Sequence, residues 1–518
     1  MKSKLIFAAV LCTCLFGSLF AEEVPDSEMQ HTFVMIGADH AYDLNPYTAN
    51  YSAEAQILTG LYEGLYSYDP KTLDPVPALA SDYKLSRNKK RWTFTIRQGA
   101  KFSNGEPITA YSVRDSWLTL LATEGAPYAS LLDPIRGAED FRMGRIKSDG
   151  VGILARDEKT LVVHLEMPTA HLQRILCHHA FSIVSSKEGV YSGAFVLASS
   201  EKGKLELKKN PNYWDAEHVY LPAITIESSN DLKENAWKVN TGRADWVSGM
   251  VETVAVLNKN AIRIAAEYGT EYLFFSCKNA PWNNADFRNA LIAAVPWAEL
   301  RKDSLVQATT LVYPLAGYPA VEGLEDTSIE DAQDLMALAK EKAGMSANQK
   351  LELTFGITGS QRMKKEVELL KAAWEPLGVE VKVQTTPEER YLLSIPSWNA
   401  DLFSYSWIGD FADPLAFLEL FRDGSTLNQS KWQNKDYNRL LKEAAETNDA
   451  VEHNRLLADA ERILLDDGVV LPISHSVCLH VVNPATVGGW YTNALDIHPF
   501  KYIYFRADVS TVPNIVRR

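Results

Sequence analysis

The sequence contains little cysteine and, after its first twenty residues, no long apolar segment. Five of its 518 residues are cysteine, and only Cys177, Cys277 and Cys478 lie beyond residue 21. Three cysteines at such distant spacings provide neither a disulfide framework nor a zinc ribbon, so we expect small buried hydrophobic residues with at most one bridge. No later segment reaches the roughly 20 continuous apolar residues that a membrane-spanning helix needs. The mature chain is therefore expected to be soluble.

Basic charge is also scarce. The formal net charge is −14 at pH 7, with 66 acidic and 52 basic residues. A surface with this excess of negative charge repels nucleic-acid phosphates and favours cationic ligands instead. We therefore expect no nucleic-acid partner.

Sequence motifs of catalysis are absent. Neither H-E-x-x-H, G-x-S-x-G, a Walker loop nor a G-x-G-x-x-G opening a helix occurs. The stretch GITGS at 356–360 resembles the turn of a serine nucleophile only loosely, because its central residue is Thr358 and the final glycine is missing. The sequence predicts a protein that is not an enzyme and that uses no cofactor.

Three histidines, His171, His178 and His179, form the densest cluster of possible metal ligands. On a continuous helix their spacing would bring the imidazoles near one face, which makes a metal site conceivable. Because apolar residues interleave and no carboxylate stands at ligand spacing, we expect one buried, hydrogen-bonded histidine with solvated neighbours. His475 and His480 fall on opposite faces of a predicted strand and form no site alone. No metal site is predicted.

The first residues have the pattern of a secretory leader. Two lysines precede an apolar run from Leu5 to Phe20, and Ala21 is followed by two glutamates. This pattern predicts a signal peptide at 1–21 and a periplasmic mature protein. Lipid attachment at Cys14 is a less favoured alternative, because threonine precedes that cysteine.

Strand and helix patterns alternate over much of the chain. Its length requires two or three domains, and the alternation between 222 and 400 predicts the α/β class. The segment SWIGDFADP at 406–414 directly follows the strand pattern DLFSYSW, a position where α/β sheets bind ligands. Of its two carboxylates, Asp413 directly precedes Pro414 and is placed to cap a helix.

Several segments occur in an order typical of one family. They are GLYEGLYSYDP (60–70), WTFTIRQGAKFSNGEPITA (92–110), LKKNPNYWD (207–215), NAPWNNADFRNAL (279–291), WEPLGVEVKV (374–383) and SWIGDFADP (406–414). Together they resemble the extracytoplasmic solute-binding proteins of ABC importers, family 5, and in particular its oligopeptide-binding members. The resemblance extends over nearly the whole chain after the leader.

The resemblance implies an α/β, two-lobed periplasmic binding protein fold with a hinge and an extra third subdomain, of the type II, cluster C-like kind. Lobe I is discontinuous, and lobe II is one segment. The implied bounds are 22–70, 178–268 and 483–518 for lobe I, 71–177 for the extra subdomain II, and 269–482 for lobe II.

The resemblance also implies a ligand site between the lobes. Asp410 would accept the α-ammonium group of a peptide, and Trp407 would form a wall of the pocket. Main-chain pairing with an extended ligand is implied for Ser406, Ile408 and Gly409 on lobe II and for Ala38, Asp39 and His40 on lobe I.

The implied function is that of the substrate-binding component of an ABC transporter, a monomer that captures oligopeptides and delivers them to permease subunits. Contact with the membrane would be only through the permease. Where relatives place basic side chains toward the ligand's carboxyl end, this sequence has Met363, Ile395 and Ser404. Recognition of that carboxylate is therefore not implied.

Two other functions stay open on the sequence alone. One is a nickel-chelate or haem receptor of the same fold, in which imidazoles such as that of His40 would face the cleft. The other is a surface-exposed, adhesin-like interaction protein, which lipid attachment at Cys14 would favour.

Overall fold

The computed structural model describes residues 32–169, 171–411, 413–447 and 449–507. The predicted signal peptide and Cys14 lie outside these residues. In the described part of the chain, no helix combines the length and apolar character that crossing a membrane requires.

A mixed sheet of ten strands forms the centre of the fold. In spatial order its strands are Val379–Thr385, Leu351–Ile357, Leu402–Ile408, Ile262–Phe275, Val470–Val482, Trp246–Ser248, Phe33–Gly37, Ala223–Ser228, Lys204–Lys209 and Phe195–Glu201. Parallel and antiparallel neighbours both occur. Strands that alternate with covering helices produce this mixed arrangement, as the sequence pattern predicts.

The strands Ile262–Phe275 and Val470–Val482, which we call the hinge strands, join the two halves of this sheet. They pair antiparallel with each other over most of their length. Val470–Val482 also pairs with Trp246–Ser248 of one half, and Ile262–Phe275 pairs with Leu402–Ile408 of the other. Their register shifts between Ala266 and Thr270, so the ladder is interrupted at residues 267–269. This interruption is a β-bulge, which bends and twists a strand locally.

A separate antiparallel sheet lies within residues 80–164. Its strands, in spatial order, are Ala80–Leu85, Arg91–Ile96, Thr160–His164 and Ile153–Ala155. The alternation of apolar and polar residues in RWTFTIR predicts a half-buried strand, which is confirmed because Trp92, Phe94 and Ile96 are buried while Arg91 and Thr95 are exposed. This sheet falls inside the predicted subdomain II, whose exact bounds stay a prediction.

The remaining strands form two small antiparallel pairs. Tyr66–Tyr68 pairs with Pro75–Pro77, and Val487–Gly488 pairs with Tyr504–Phe505. The prolines of the stretch DPKTLDPVPALA predict an irregular connection, and the first pair shows that this prediction is wrong for Pro75–Pro77.

Helices cover the sheets and connect their strands. The α-helices are Ser52–Leu61, Ala110–Ala122, Ala138–Arg142, Leu172–Ile175, Leu232–Asn240, Ala285–Ala293, Trp297–Leu300, Ile329–Lys342, Gln361–Trp374, Tyr391–Ser394, Leu415–Leu418, Lys435–Glu446 and Ala450–Asp466. The 3₁₀ turns are Ala129–Leu132, Ser148–Gly150, His179–Phe181, Ala216–His218, Thr253–Ala255, Lys259–Ala261, Glu375–Leu377, Glu388–Arg390, Glu419–Phe421 and Phe500–Tyr502. The spacing of apolar residues between Asp436 and Asp467 predicts two helices with a break near 447–451. This prediction is confirmed, and Asp449 caps the second helix through the amides of Val451 and Glu452.

Apolar packing is divided in the same way as the sheets. One large buried cluster extends from the four-stranded sheet to the half of the central sheet that contains Leu402–Ile408. A second cluster surrounds Phe33, Trp246 and Phe500 at the other half. The hinge strands contribute to both clusters, since Tyr272 and Leu471 belong to the first and Val482 to the second.

Candidate functional site

A cavity of about 400 Å³ opens where the strand Leu402–Ile408 ends. One wall is formed by residues 404–410, and the opposite wall includes Tyr51, Tyr128 and His178. Residues from both halves of the chain thus enclose one space. A ligand in it would contact both, which is the arrangement that couples binding to closure of a hinge.

Asp410 is the buried carboxylate of this cavity. Its Oδ1 lies 3.3 Å from Nε2 of His178, and its main-chain oxygen accepts a hydrogen bond from the Tyr68 hydroxyl at 3.2 Å. Only 7% of the residue is exposed. Burial raises the pKa of the Asp410 carboxyl well above its usual range, because a charged group loses its hydration there.

The neighbouring histidines share this desolvation. Burial, and next the neighbouring His179, lower the pKa of His178 well below its usual range, and burial lowers the pKa of His179 to about 4. The two rings lie 4.1 Å apart. His178 is therefore held neutral, and it offers Asp410 a polar neighbour rather than a fixed positive charge.

This geometry corrects the sequence interpretation of the histidine cluster. The helix that begins at Leu172 ends at Ile175, and a separate turn holds His179–Phe181. His178 and His179 are both buried, and His171 is half-buried and stacks on Phe411. Sequence reasoning missed both buried histidines as cavity residues, because their neighbour Asp410 is distant in the sequence.

The residues before Asp410 form the wall of the cavity. Ser406 is exposed toward it, and Ile408 is half-buried. Trp407 is buried, and its Nε1 donates to the main-chain oxygen of Ala416 at 2.9 Å, so it both lines the cavity and anchors the strand end. Gly409 donates its amide to the oxygen of Tyr268 at 2.8 Å.

One edge of the strand Leu402–Ile408 is largely open. Its parallel neighbour Leu351–Ile357 pairs only with Leu402 and Phe403. The amide of Ser404 donates to the Tyr391 hydroxyl at 3.0 Å, and in the described part of the chain no strand pairs with residues 405–408 on that side. An extended peptide can add to such an edge by main-chain hydrogen bonds.

The predicted segment on lobe I lies elsewhere. Ala38 and Asp39 are exposed, and the Asp39 amide donates to Oδ1 of Asn230. His40 lies 3.0 Å from Oε1 of Glu54 through its Nε2 and is half-buried. None of Ala38, Asp39 and His40 lines the cavity, so the structure does not bring them together with Asp410.

Asp413 is outside the cavity as well. Its Oδ1 accepts from the amide of Leu415 at 2.9 Å, which confirms the predicted helix cap. Its carboxylate also lies 3.1 Å from Nε2 of His453. Although burial acts in the opposite direction, the His453 hydrogen bond helps to lower the pKa of Asp413 below its usual value.

A larger cavity of about 940 Å³ adjoins the first. Ser406 and Arg362 line both spaces. Nη1 of Arg362 lies 2.8 Å from Oε1 of Glu366 and 3.5 Å from Oε2 of Glu271. Sequence reasoning missed Arg362, although it directly precedes Met363, one of the three positions at which basic side chains were expected but absent.

Possible metal ligands converge at one buried place on the hinge strand Val470–Val482. Cys478, His480 and Asp496 have ligand atoms within 4.8 Å of one another. Nδ1 of His480 accepts from Trp246 at 3.1 Å, so its Nε2 carries the proton that it donates to Asp496 at 2.7 Å. The group is thus accounted for as an internal hydrogen-bond network.

Comparisons with known proteins agree with this geometry. The model of the bacterial extracellular solute-binding proteins, family 5, matches residues 74–429. The chain is 27% identical to the oligopeptide-binding protein of Bacillus subtilis over 507 residues, which cover 90% of this chain and 92% of the relative.

Solved structures show the same fold. The murein tripeptide binding protein of Escherichia coli superposes with a TM-score of 0.81 at 25% identity, covering 92% of this chain and 99% of its own. An oligopeptide-binding protein of Haemophilus influenzae, in complex with the peptide RPPGFSPFR, also gives a TM-score of 0.81, at 22% identity and the same coverage. The predicted two-lobed α/β binding-protein fold is confirmed. The chain therefore belongs to the bacterial extracellular solute-binding proteins of family 5.

Proposed function

We propose that this chain is the substrate-binding component of an ABC transporter, which captures oligopeptides in the cavity at Asp410 and delivers them to a membrane permease. The observation that supports this most is a buried carboxylate whose nearest ionisable partner is a histidine held neutral. The α-ammonium group of a peptide supplies the missing positive charge. In this role the mature chain works as a monomer in the periplasm after loss of residues 1–21.

The charge argument concerns the free energy of burial. A carboxylate enclosed without a cation costs several kcal/mol to desolvate, and a bound ammonium offsets that cost through hydrogen bonds that are stronger than neutral ones. Asp410 is the cavity carboxylate that burial penalises in this way. Closure around a cationic ligand is therefore favoured over closure on an empty cavity.

The rest of the peptide would run along the open strand edge. Residues 405–408, next to Asp410, offer main-chain groups for this pairing. Main-chain hydrogen bonds do not depend on the side chains of the ligand, so the site would accept peptides of many sequences. The path leads toward Ser406 and Arg362, beyond which the larger cavity begins. A ligand of several residues therefore fits the site better than a single amino acid.

Two relatives agree with this ligand class, since one is named for oligopeptides and another for a murein tripeptide. Native mass spectrometry of the purified protein tests the class directly, because a retained ligand reports its own mass. We expect peptide masses. A retained metal chelate or haem would contradict the proposal and favour the alternative in which His178 and His179, which line the cavity, ligate a metal.

The role of the ammonium group needs a separate test. We expect calorimetry to show that N-acetylation of a peptide weakens its binding by about 2 to 5 kcal/mol, the range for loss of one partner of a buried charge pair. A peptide with an amidated carboxyl end serves as the matched control for an altered terminus. Equal affinity for the free and acetylated peptides would remove Asp410 from this role.

A further inference from the structure

The larger cavity contains a second buried carboxylate, Glu267. The residue lies in the bulge of the hinge strands, and only 8% of it is exposed. It lines the cavity of about 940 Å³. In the part of the chain that the structure describes, no hydrogen bond or ion pair reaches its carboxylate.

The surroundings of Glu267 add negative rather than positive charge. Desolvation, and then the nearby carboxylates of Asp496 and Glu271, raise the pKa of Glu267 to about 8. Asp496 is engaged with His480 and His498, and Glu271 accepts a hydrogen bond from Ser474 at 2.8 Å. Glu267 alone among these three lacks a partner.

Three of the four basic side chains of the same cavity have carboxylate partners among the described residues, and the fourth, Lys364, is exposed. Arg362 bridges Glu366 and Glu271, and Lys302 pairs with Glu299 at 2.8 Å. Lys365 lies 3.7 Å from Asp303 and is exposed, on the outer rim. The cavity thus has room for a side chain and a carboxylate that lacks a counter-charge, and it adjoins the proposed peptide path through Ser406.

We propose that the larger cavity is a subsite for a cationic side chain of the bound peptide, lysine or arginine, and that Glu267 is the residue that selects it. The subsite rests on the proposed function and narrows the substrate class to peptides with a free amino end and a basic residue further along the chain. A cationic group there pairs with Glu267 and lies near Glu271 as well. A neutral side chain leaves the carboxylate unpaired, so selectivity follows from charge.

A scan of peptides tests the subsite. One set contains free-amine alanine peptides with a single lysine moved from position to position, and the matched set has acetyl-lysine at the same places. We expect the wild-type protein to bind lysine at least tenfold more tightly than acetyl-lysine at one position. Glu267→Gln should abolish that ratio and leave the affinity for the acetyl-lysine peptides within about twofold.

Glu299→Gln is the matched control, because Glu299 lines the same cavity but is exposed and paired with Lys302. It should keep the wild-type ratio. A wild-type protein with no preference at any position, or a preference that survives Glu267→Gln, would overturn the subsite while the proposed function stands. If no peptide of either set binds, the proposed function falls and the subsite falls with it.

Discussion

Asp410 shows how one side chain can oppose stability and support binding. Its pKa is raised by burial, so its contribution to stability is present below the unfolded pKa and is lost as the pH rises. At neutral pH we expect Asp410→Asn to increase the free energy of unfolding by about 1 kcal/mol, the scale of relieving a poorly paired buried group. The same change should weaken a free-amine peptide by about 2 to 5 kcal/mol.

Urea unfolding tests the predicted rise in stability, and calorimetry on the same samples tests the predicted loss of peptide affinity. Asp413→Asn is the control, because Asp413 lies in the same segment but outside the cavity. It should leave peptide affinity unchanged. A variant at 410 that loses stability without losing affinity would reverse the assignment.

Glu267 predicts a dependence of stability on pH. Its pKa is raised from 4.5 to about 8 by burial and by Asp496 and Glu271. A raised pKa contributes stability that is complete below about pH 4.5 and is lost as the pH rises toward 8. One pKa unit corresponds to about 1.4 kcal/mol. The free energy of unfolding of Glu267→Gln should therefore rise relative to that of the wild type by a few kcal/mol between pH 5 and pH 8.

Urea midpoints of the two proteins across that range measure the difference. If the midpoints of the wild type and of Glu267→Gln change with pH in parallel, Glu267 has a counter-charge in solution. Glu299→Gln, at an exposed position, should follow the wild type at every pH.

The sequence allowed only part of this residue-level description. Asp410 could be predicted as a ligand residue because a motif around it resembles a family, and the cap at Asp413 followed from the proline next to it. His178, Arg362 and Glu267 could not be assigned, since a charged or polar residue in an alternating pattern does not show whether its neighbours in space are cations, anions or water.

Among the elements, the strand Leu402–Ile408 leaves no room for a side chain at Gly409, just beyond its end. A Cβ on Gly409 would lie 2.6 Å from Cδ1 of Tyr268, whose ring is buried. We expect Gly409→Ala to lower the free energy of unfolding by about 1 to 3 kcal/mol through overpacking. It should also weaken peptide binding, because the wall beside Asp410 must shift.

Gly359→Ala provides the comparison, since no atom lies within 4 Å of a Cβ built there. Chemical denaturation and calorimetry should separate the two variants. Equal stability would mean that the Tyr268 ring moves freely.

The periodicity of apolar residues predicted well those elements that bury one face and expose the other. The half-buried strand Arg91–Ile96 and the helices Lys435–Glu446 and Ala450–Asp466 are as expected. The predictions were wrong where local signals compete with tertiary pairing. Prolines in Pro75–Pro77 read as an irregular connection, yet their edge position allows them to pair with Tyr66–Tyr68.

For the whole molecule, the enclosed cavity predicts a change of shape. The Tyr68 hydroxyl donates to the main chain of Asp410 and the Tyr51 hydroxyl to that of Glu388, and we expect a ligand that contacts both walls to favour the form with these contacts. Solution X-ray scattering should show a smaller radius of gyration with peptide than without. The Asp410→Asn variant should need more peptide for the same change, and identical profiles with and without peptide would argue against hinge closure.

The order of the chain through the two halves could not be predicted from composition or periodicity. The chain crosses between halves through the hinge strands, and only similarity to a family suggested where. The α/β class, by contrast, follows from the alternation of strands with helices.

The bulge at residues 267–269 has a mechanical consequence. Because the pairing between the hinge strands is already interrupted there, we expect a rotation of the two halves about this point to cost few backbone hydrogen bonds. We therefore expect the free energy of opening to depend on the ligand and on the side chains that contact it, so that release of the ligand leaves the fold of each half intact.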